Sequence, residues 1–372
     1  MLFRKSGGAS DRFSAFAAEC LRLLRGRIAF YGVVGAFGLQ VYLTLRLEFS
    51  EHHSDSRILS ASILMAAYVA TVTLGNLVRA GRSFDMARTH LRRLIARESV
   101  EVVFQPMWNS QSGKLLGYEA LSRPAPGCGF KSADELFEVA ETAGLAAELD
   151  AVCHGKILSA AKSLDRSLPL FVNFSLQSLR RGGAYIAAFT KSVKAKGFQP
   201  EWIVVELTER SELTAETLRK SVAELRANGF RIALDDTGAG NSGLAVLSYL
   251  PIDYVKIDRA LIVRAITEPN ARGVLAGILA IARETGSLTI AEGIDDLKLL
   301  ELAALFRGGA SGLQGYLLAV PRATQLEHGE VTLIESKISA LRACLSSAAD
   351  GSSAILESRN ASEILQAVAR AS

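Results

Sequence analysis

Glu119, Asn173, Glu206, Asp235 with Asp236, Lys256, Glu292 and Gln314 share one position in the sequence: each stands near the C-terminal end of a short apolar run. A single polar residue at a strand end needs no more explanation than a hydrogen bond in a loop. Seven runs with the same feature imply one shared surface. Five carboxylates meeting there would repel, and some would keep their protons unless cations compensate. An oxygen-rich set with an Asn and neither Cys nor His suits Mg²⁺ or Mn²⁺ rather than zinc. The adjacent Asp235 and Asp236 can serve two ions, one carboxylate bridging and one terminal. Two ions a few ångströms apart are suited to in-line attack at phosphorus. Lys256 would then neutralise charge and hold the attacking water.

Other chemistries are poorly supplied. The five histidines form no HxxxH or HD pair, so histidine metal sites and a Ser-His-Asp triad are disfavoured. The four cysteines form no CxxC pair, which fits a reducing compartment and no zinc ribbon. Gly238-Ala239-Gly240-Asn241-Ser242-Gly243 does match a dinucleotide-binding GxGxxG after a strand. Asp235 and Asp236 directly precede it, however, and would repel a pyrophosphate in the absence of metals.

The elements that must place these residues begin at about residue 100. Eight β-rich runs (VVFQP, LLGYEAL, LFVNFS, WIVVELTE, RIALDD, DYVKID, LTIAE, SGLQGY) alternate with amphipathic helical stretches. That rhythm predicts an α/β fold, a (β/α)8 TIM-like barrel over 101–322, whose strand ends converge on one active face. The first two runs are joined by NSQSGK, a hairpin rather than a crossover, so one strand is expected to run antiparallel. The tail, 323–372, carries a helical pattern from Val331 to Cys344 and a second helix start near Asn360. Helices packing on the barrel are the expectation there.

The first hundred residues read differently. They hold fourteen Lys and Arg against seven Asp and Glu, while the net charge of the whole chain is +4. The remainder has no excess of positive charge, so no nucleic-acid partner is expected. Two charge-free runs, 28–45 and 58–78, would each cross roughly 27–31 Å as helices. Arginines crowd the flanks 1–27 and 79–100, and the loop 46–57 has only two. A transmembrane hairpin with both ends in the cytoplasm follows. A cleaved signal peptide would need a small-residue cleavage site that Leu45-Arg46-Leu47-Glu48 does not offer; a buried hairpin of soluble helices is the plainer alternative. The segment 79–100 reads as a basic linker helix that either touches anionic membrane lipid or is simply solvated.

From about Val102 to Pro321 the runs resemble the EAL domain, a family of cyclic-di-GMP phosphodiesterases. Glu119-Ala120-Leu121 with Arg123 is similar to its EAL-x-R signature, Gln105-Pro106 to its QP, and Asn173-Phe174-Ser175 to its NxS. Glu206-Leu207-Thr208-Glu209, Asp235-Asp236, Lys256-Ile257-Asp258, Ala291-Glu292-Gly293 and Gln314-Gly315 continue the set in family order. The resemblance implies a first metal held by Glu119, Asn173, Glu206 and Asp235, and a second held by Asp235, Asp236 and Glu292. It implies that Lys256 orients the nucleophilic water and that Glu209 braces the loop after Asp236. Gln105, Leu121, Arg123 and Gln314 would contact the ligand. The implied reaction hydrolyses cyclic di-GMP to linear pGpG at the bacterial inner membrane, with the barrel in the cytoplasm and the chain a homodimer. The departures lie mainly in one loop: DDTGAGNSG stands where the family has DDFGTGYSS, which changes Thr237, Ala239, Asn241 and Gly243. Asp295 also replaces the family's Glu. A receptor that binds cyclic di-GMP without cutting it is the alternative, and a barrel kept only for protein interaction is a third reading.

Overall fold

In the computed structural model the described residues are 85–208, 213–238, 243–296 and 310–349. The expected spans 28–45 and 58–78 with their flanks 1–27 and 46–57, Glu209, the loop residues Ala239 and Asn241, and the helix near Asn360 lie outside them. Among the described residues no helix is long and apolar enough to cross a membrane. The chain divides into two compact units, Met1–Ser99 with Pro124–Leu149, and Val100–Arg123 with Asp150–Ser372. The sequence reading counted Pro124–Leu149 with the barrel domain.

In the first unit, a helix over 85–96 lies within the predicted basic linker. It buries Ala87, Leu91 and Leu94, spaced to share one face. The chain leaves it through Glu98, at a left-handed φ of 51°. The helix Ala133–Ala143 starts at Ser132, whose hydroxyl accepts from the Glu135 amide, while Glu135 accepts from the Lys131 amide. It stops at Gly144, whose left-handed backbone closes the last turn.

The second unit is the closed barrel of eight strands expected from the sequence. The strands are β1 (Val100–Asn109), β2 (Leu115–Pro124), β3 (Leu170–Asn173), β4 (Ile203–Thr208), β5 (Arg231–Thr237), β6 (Tyr254–Ile257), β7 (Leu288–Ala291) and β8 (Gly312–Leu313). Strands β2 to β8 pair in parallel, and β1 lies antiparallel to β8, with Trp108 opposite Leu313. The hairpin that reverses β1 is held by the Asn109 side chain, which accepts from the amides of Gln111 and Ser112.

Side chains alternate between the two faces of each strand. One set (Leu170, Val172, Val205, Ile232, Val255) packs in the large apolar core that also takes in the helices. The other set forms a layer inside the barrel: Met107, Phe171, Val204, Ala233, Tyr254 and Ile290. Where the bore is narrow the layer is completed without side chains: a Cβ on Gly117 would press on the Pro169 carbonyl, and one on Gly312 on Leu116 and Ile290.

The helix His328–Ala349 is longer than the Val331–Cys344 expected, and it buries Ile334 and Ile338 against the barrel core. Its first turn is tied by Glu330, which accepts twice from Arg322 at 2.7 and 3.0 Å. Arg322 in turn bridges through its backbone to Phe104 on β1.

Candidate metal centre

One step of two residues beyond each member of the inner apolar layer comes a polar side chain. Phe171 leads to Asn173, Val204 to Glu206, Ala233 to Asp235, Tyr254 to Lys256, Ile290 to Glu292, Gly117 to Glu119 and Gly312 to Gln314. On β1, which runs the other way, the step is backwards, from Met107 to Gln105. The two-residue period of the strand thus builds the polar ring directly on top of the apolar one.

Lys256 stands at the centre of this ring, buried. Its Nζ lies 2.7 Å from Glu206 Oε1, 2.8 Å from Glu292 Oε1, 3.1 Å from Asp235 Oδ1 and 3.3 Å from Glu119 Oε1. Glu119 also accepts from Gln314 Nε2 at 2.5 Å and from Asn173 Nδ2 at 3.4 Å. Gln314 Nε2 reaches Gln105 Oε1 at 3.2 Å, which brings both glutamines to the ring. Leu121 and Arg123 follow Glu119 at two-residue steps on the same face of β2, both half-buried; Arg123 donates to the Ser122 carbonyl. Of the residues expected in the site, Glu209 alone lies outside the described residues.

Asp236 needs a separate explanation. Strict alternation would send it to the opposite face from Asp235. The β5–β6 register breaks between Leu234 and Thr237, and Asp236 takes a left-handed φ of 55°. This bulge turns the second carboxylate to the same end of the barrel.

The charges are unbalanced. Burial pushes Glu206 well above the ordinary carboxylate range, and the neighbouring Glu119 adds to it. Burial does the same to Glu292, against the pull of Lys256. Burial would also raise Glu119, but Lys256 and the hydrogen bonds from Gln314 and Asn173 hold it below its usual value. Lys256 should be depressed by burial, yet Asp235, Glu119, Glu206 and Glu292 keep its ammonium charged well above the lysine norm. One ammonium does not balance five carboxylates, so some of them keep their protons unless cations compensate.

The donor set fits divalent cations. Two groups, Glu119–Glu206–Asp235 and Asp235–Asp236–Glu292, each bring carboxylate oxygens within 4.8 Å of one another, and Asp235 belongs to both. Glu206 Oε2 is buried without a hydrogen-bond partner, and Oε1 has only the Lys256 ammonium. An unsatisfied buried carboxylate costs several kcal/mol unless a cation or proton meets it. All-oxygen ligation of this kind suits a hard divalent cation.

Sequence reasoning did not single out what lies behind Asn173. His154, on the helix Ala146–Ala160, is buried and donates from Nε2 to the Asn173 carbonyl at 2.9 Å. Asp150, one turn earlier, accepts from the Ser175 amide at 2.8 Å and from the Ser178 hydroxyl at 2.6 Å. The only sequence signal was their spacing of four residues in a helical stretch.

Comparison with known proteins agrees with this geometry. A profile of the EAL domain matches residues 88–321. The chain is 30% identical over 260 residues to the "probable cyclic di-GMP phosphodiesterase PdeG" of Escherichia coli (strain K12), covering 67% of this chain and 49% of that one. It is 31% identical over 237 residues to the "probable cyclic di-GMP phosphodiesterase PdeN" of the same organism, covering 61% and 44%. The chain therefore spans about half the length of these curated relatives. Among solved structures, the Klebsiella pneumoniae BlrP1 manganese/cy-diGMP complex at pH 6 superposes with a TM-score of 0.54 at 25% identity, over 60% of this chain and 56% of that one. With the matched segment spanning the whole barrel and its polar ring, this chain belongs to the EAL domain family.

Proposed function

We propose that this barrel hydrolyses one phosphodiester of cyclic di-GMP to linear pGpG, with Mg²⁺ or Mn²⁺ as the cofactor. The observation that carries the reading is the pair of carboxylate groups sharing Asp235 around a buried lysine. Glu119, Asn173, Glu206 and Asp235 hold one ion, and Asp235, Asp236 and Glu292 the other. When bound, such ions stabilise charge on the phosphodiester oxygens and lower the pKa of water. Lys256 donates to the attacking water and fixes its approach. Gln105, Leu121, Arg123 and Gln314 line the ligand's side of the ring, and Glu209 braces the loop after Asp236. Water adds its oxygen to phosphorus, the P–O3′ bond breaks, and the 3′ oxygen leaves with a proton. A simple nucleotide receptor has no need of five carboxylates beside a phosphate.

The reading extends to the N-terminal third. The runs 28–45 and 58–78 anchor the chain in the bacterial inner membrane with the barrel in the cytoplasm, next to anionic lipid, and the chain works as a homodimer. Reporter fusions at Ser54 should read as external and those at Ser372 as cytoplasmic; the reverse overturns the anchor. Light scattering that gives a monomer with and without ligand overturns the dimer.

Turnover is the central test. The purified protein should release pGpG from cyclic di-GMP with Mn²⁺ or Mg²⁺ and stop when chelator is added. Glu119→Ala should cost about 10² or more in rate, as losing other preorganised charge-stabilising groups does. Protein that binds cyclic di-GMP yet releases no pGpG with either metal is a receptor, the outcome to which the altered loop around Thr237 would point.

A further inference from the structure

The helix Ala146–Ala160 grips the end of β3 at two successive points. His154 Nε2 meets the Asn173 carbonyl at 2.9 Å, and Asp150 Oδ2 meets the Ser175 amide at 2.8 Å. The two gripping residues are one helical turn apart, so a single helix face engages a three-residue turn. We propose that His154 is a positioning residue for Asn173, holding the backbone of this ligand so that its side chain stays beside Glu119.

The protonation pattern is set by the partners. A carbonyl oxygen can only accept, so Nε2 carries the proton. In the neutral imidazole Nδ1 is then bare and accepts from the Tyr185 hydroxyl, 3.2 Å away. The ring cannot turn to make other bonds. It stacks on Phe174 with centroids 4.5 Å apart and is flanked by Phe189 at 4.8 Å. His154 is 4% exposed and Asp150 2%, so water does not compete for either grip.

A purely structural histidine could occupy any strand end. This one holds the only amide side chain among the proposed ligands, and Asn173 is the last residue of β3. Beyond Asn173 the backbone is held by Phe174, whose amide donates to the Glu206 carbonyl at 3.1 Å, and by Asp150. Without His154, the Asn173 carbonyl loses its buried donor, and the peptide plane, now held only through the Phe174 amide, tilts about that remaining bond. The amide side chain would move with it, away from Glu119.

The proposal rests on the metal-site reading, and the test separates the two. Mn²⁺ affinity, measured by titration calorimetry on the full chain, is compared for wild type, His154→Leu, His154→Gln and His154→Asn. Gln places an N–H near the position of Nε2, whereas Asn reaches only as far as Nδ1. Leu and Asn should weaken Mn²⁺ binding by about 10-fold, the lower end of what losing a partner behind a metal ligand costs. Gln should restore it to within about 3-fold of wild type. Leu and Asn variants that melt earlier but bind Mn²⁺ like wild type assign His154 a packing role only and overturn the proposal. Gln no better than Leu overturns it too. If Leu fails to fold, the comparison of Gln with Asn decides alone. Wild type that takes up no Mn²⁺ overturns the metal reading, and the positioning role goes with it.

Discussion

Lys256 Nζ and Glu206 Oε1 are 2.7 Å apart, with the two side chains 1% and 0% exposed. Neither can turn to water, so each is the other's main compensation when no cation is present. The same ammonium also serves Glu292, Asp235 and Glu119. Lys256 is therefore the counter-charge shared by four carboxylates as well as standing where chemistry is proposed.

Removing it should show both roles. In chelator, Lys256→Met should lose about 3–5 kcal/mol of stability, the usual cost of breaking one side of a buried ion pair. Added Mn²⁺ should recover much of that loss while leaving turnover down by about 10² or more. Thermal unfolding with and without Mn²⁺ measures the first effect. A variant that melts like wild type in chelator would show that the carboxylates do not depend on the lysine.

Much of this site can be read from the residues alone, for a physical reason. An inner apolar residue followed two positions on by a polar one is a consequence of strand alternation, and it recurs on β3 to β7, with glycine in the inner position on β2 and β8. The hairpin at NSQSGK is legible in the same way, because six polar and glycine residues cannot carry a helical crossover. The placement of Asp236 is not. Alternation alone would point it away from Asp235, and only the bulge and its left-handed backbone bring it back. His154 is hidden for another reason: its partner is the Asn173 backbone, and a main-chain carbonyl leaves no mark in sequence.

Gly315 follows the site's Gln314, and a Cβ built there falls on the backbone N, C and O of Ile294. Backbone cannot step aside as a flexible side chain can. The Ile294 amide also donates to the Gln314 carbonyl at 2.9 Å, so a shift at 294 pulls on Gln314 directly. Gly315→Ala should cost about 1–3 kcal/mol in stability and weaken cyclic di-GMP binding. Gly277→Ala is the control: it lies within the helix Pro269–Thr285 with open space around its Cβ position. It should stabilise by about 0.5–1 kcal/mol. Unfolding curves and ligand titration of the two variants check both signs; a Gly315→Ala protein with normal affinity would separate the loop contact from the site.

Cys153 supplies a pH-dependent readout. Burial pushes its thiol up to about 12, with Ser122 partly opposing through a hydrogen bond and Asp150 adding to the rise. The unfolded thiol ionises near about 8.5. Between those values the unfolded chain gives up a proton that the folded one keeps, so stability through this group is complete below about pH 8.5 and falls as pH rises. At pH 8 the native thiolate fraction is on the order of 10⁻⁴. Iodoacetamide should leave Cys153 unmodified in folded protein and alkylate it in denaturant, as peptide mapping would show. Rapid native labelling would mean that the helix Ala146–Ala160 opens readily.

The backbone at Asp236 separates the demands of folding from those of the site. A left-handed φ of 55° is costly for a residue with a Cβ, milder for Asp than for most, and free for Gly. Asp236→Ala and Asp236→Gly both remove the carboxylate, along with whatever that carboxylate contacts. Their difference reports the backbone alone. The Gly variant should be more stable than the Ala variant by about 1 kcal/mol, while both lose turnover and bind one Mn²⁺ fewer than wild type. Denaturant unfolding gives the stability difference, and calorimetric titration gives the metal count. Equal stabilities would mean that β5 relaxes out of its bulge once the carboxylate is gone, so that the second ligand group, and not the chain, holds the left-handed turn in place.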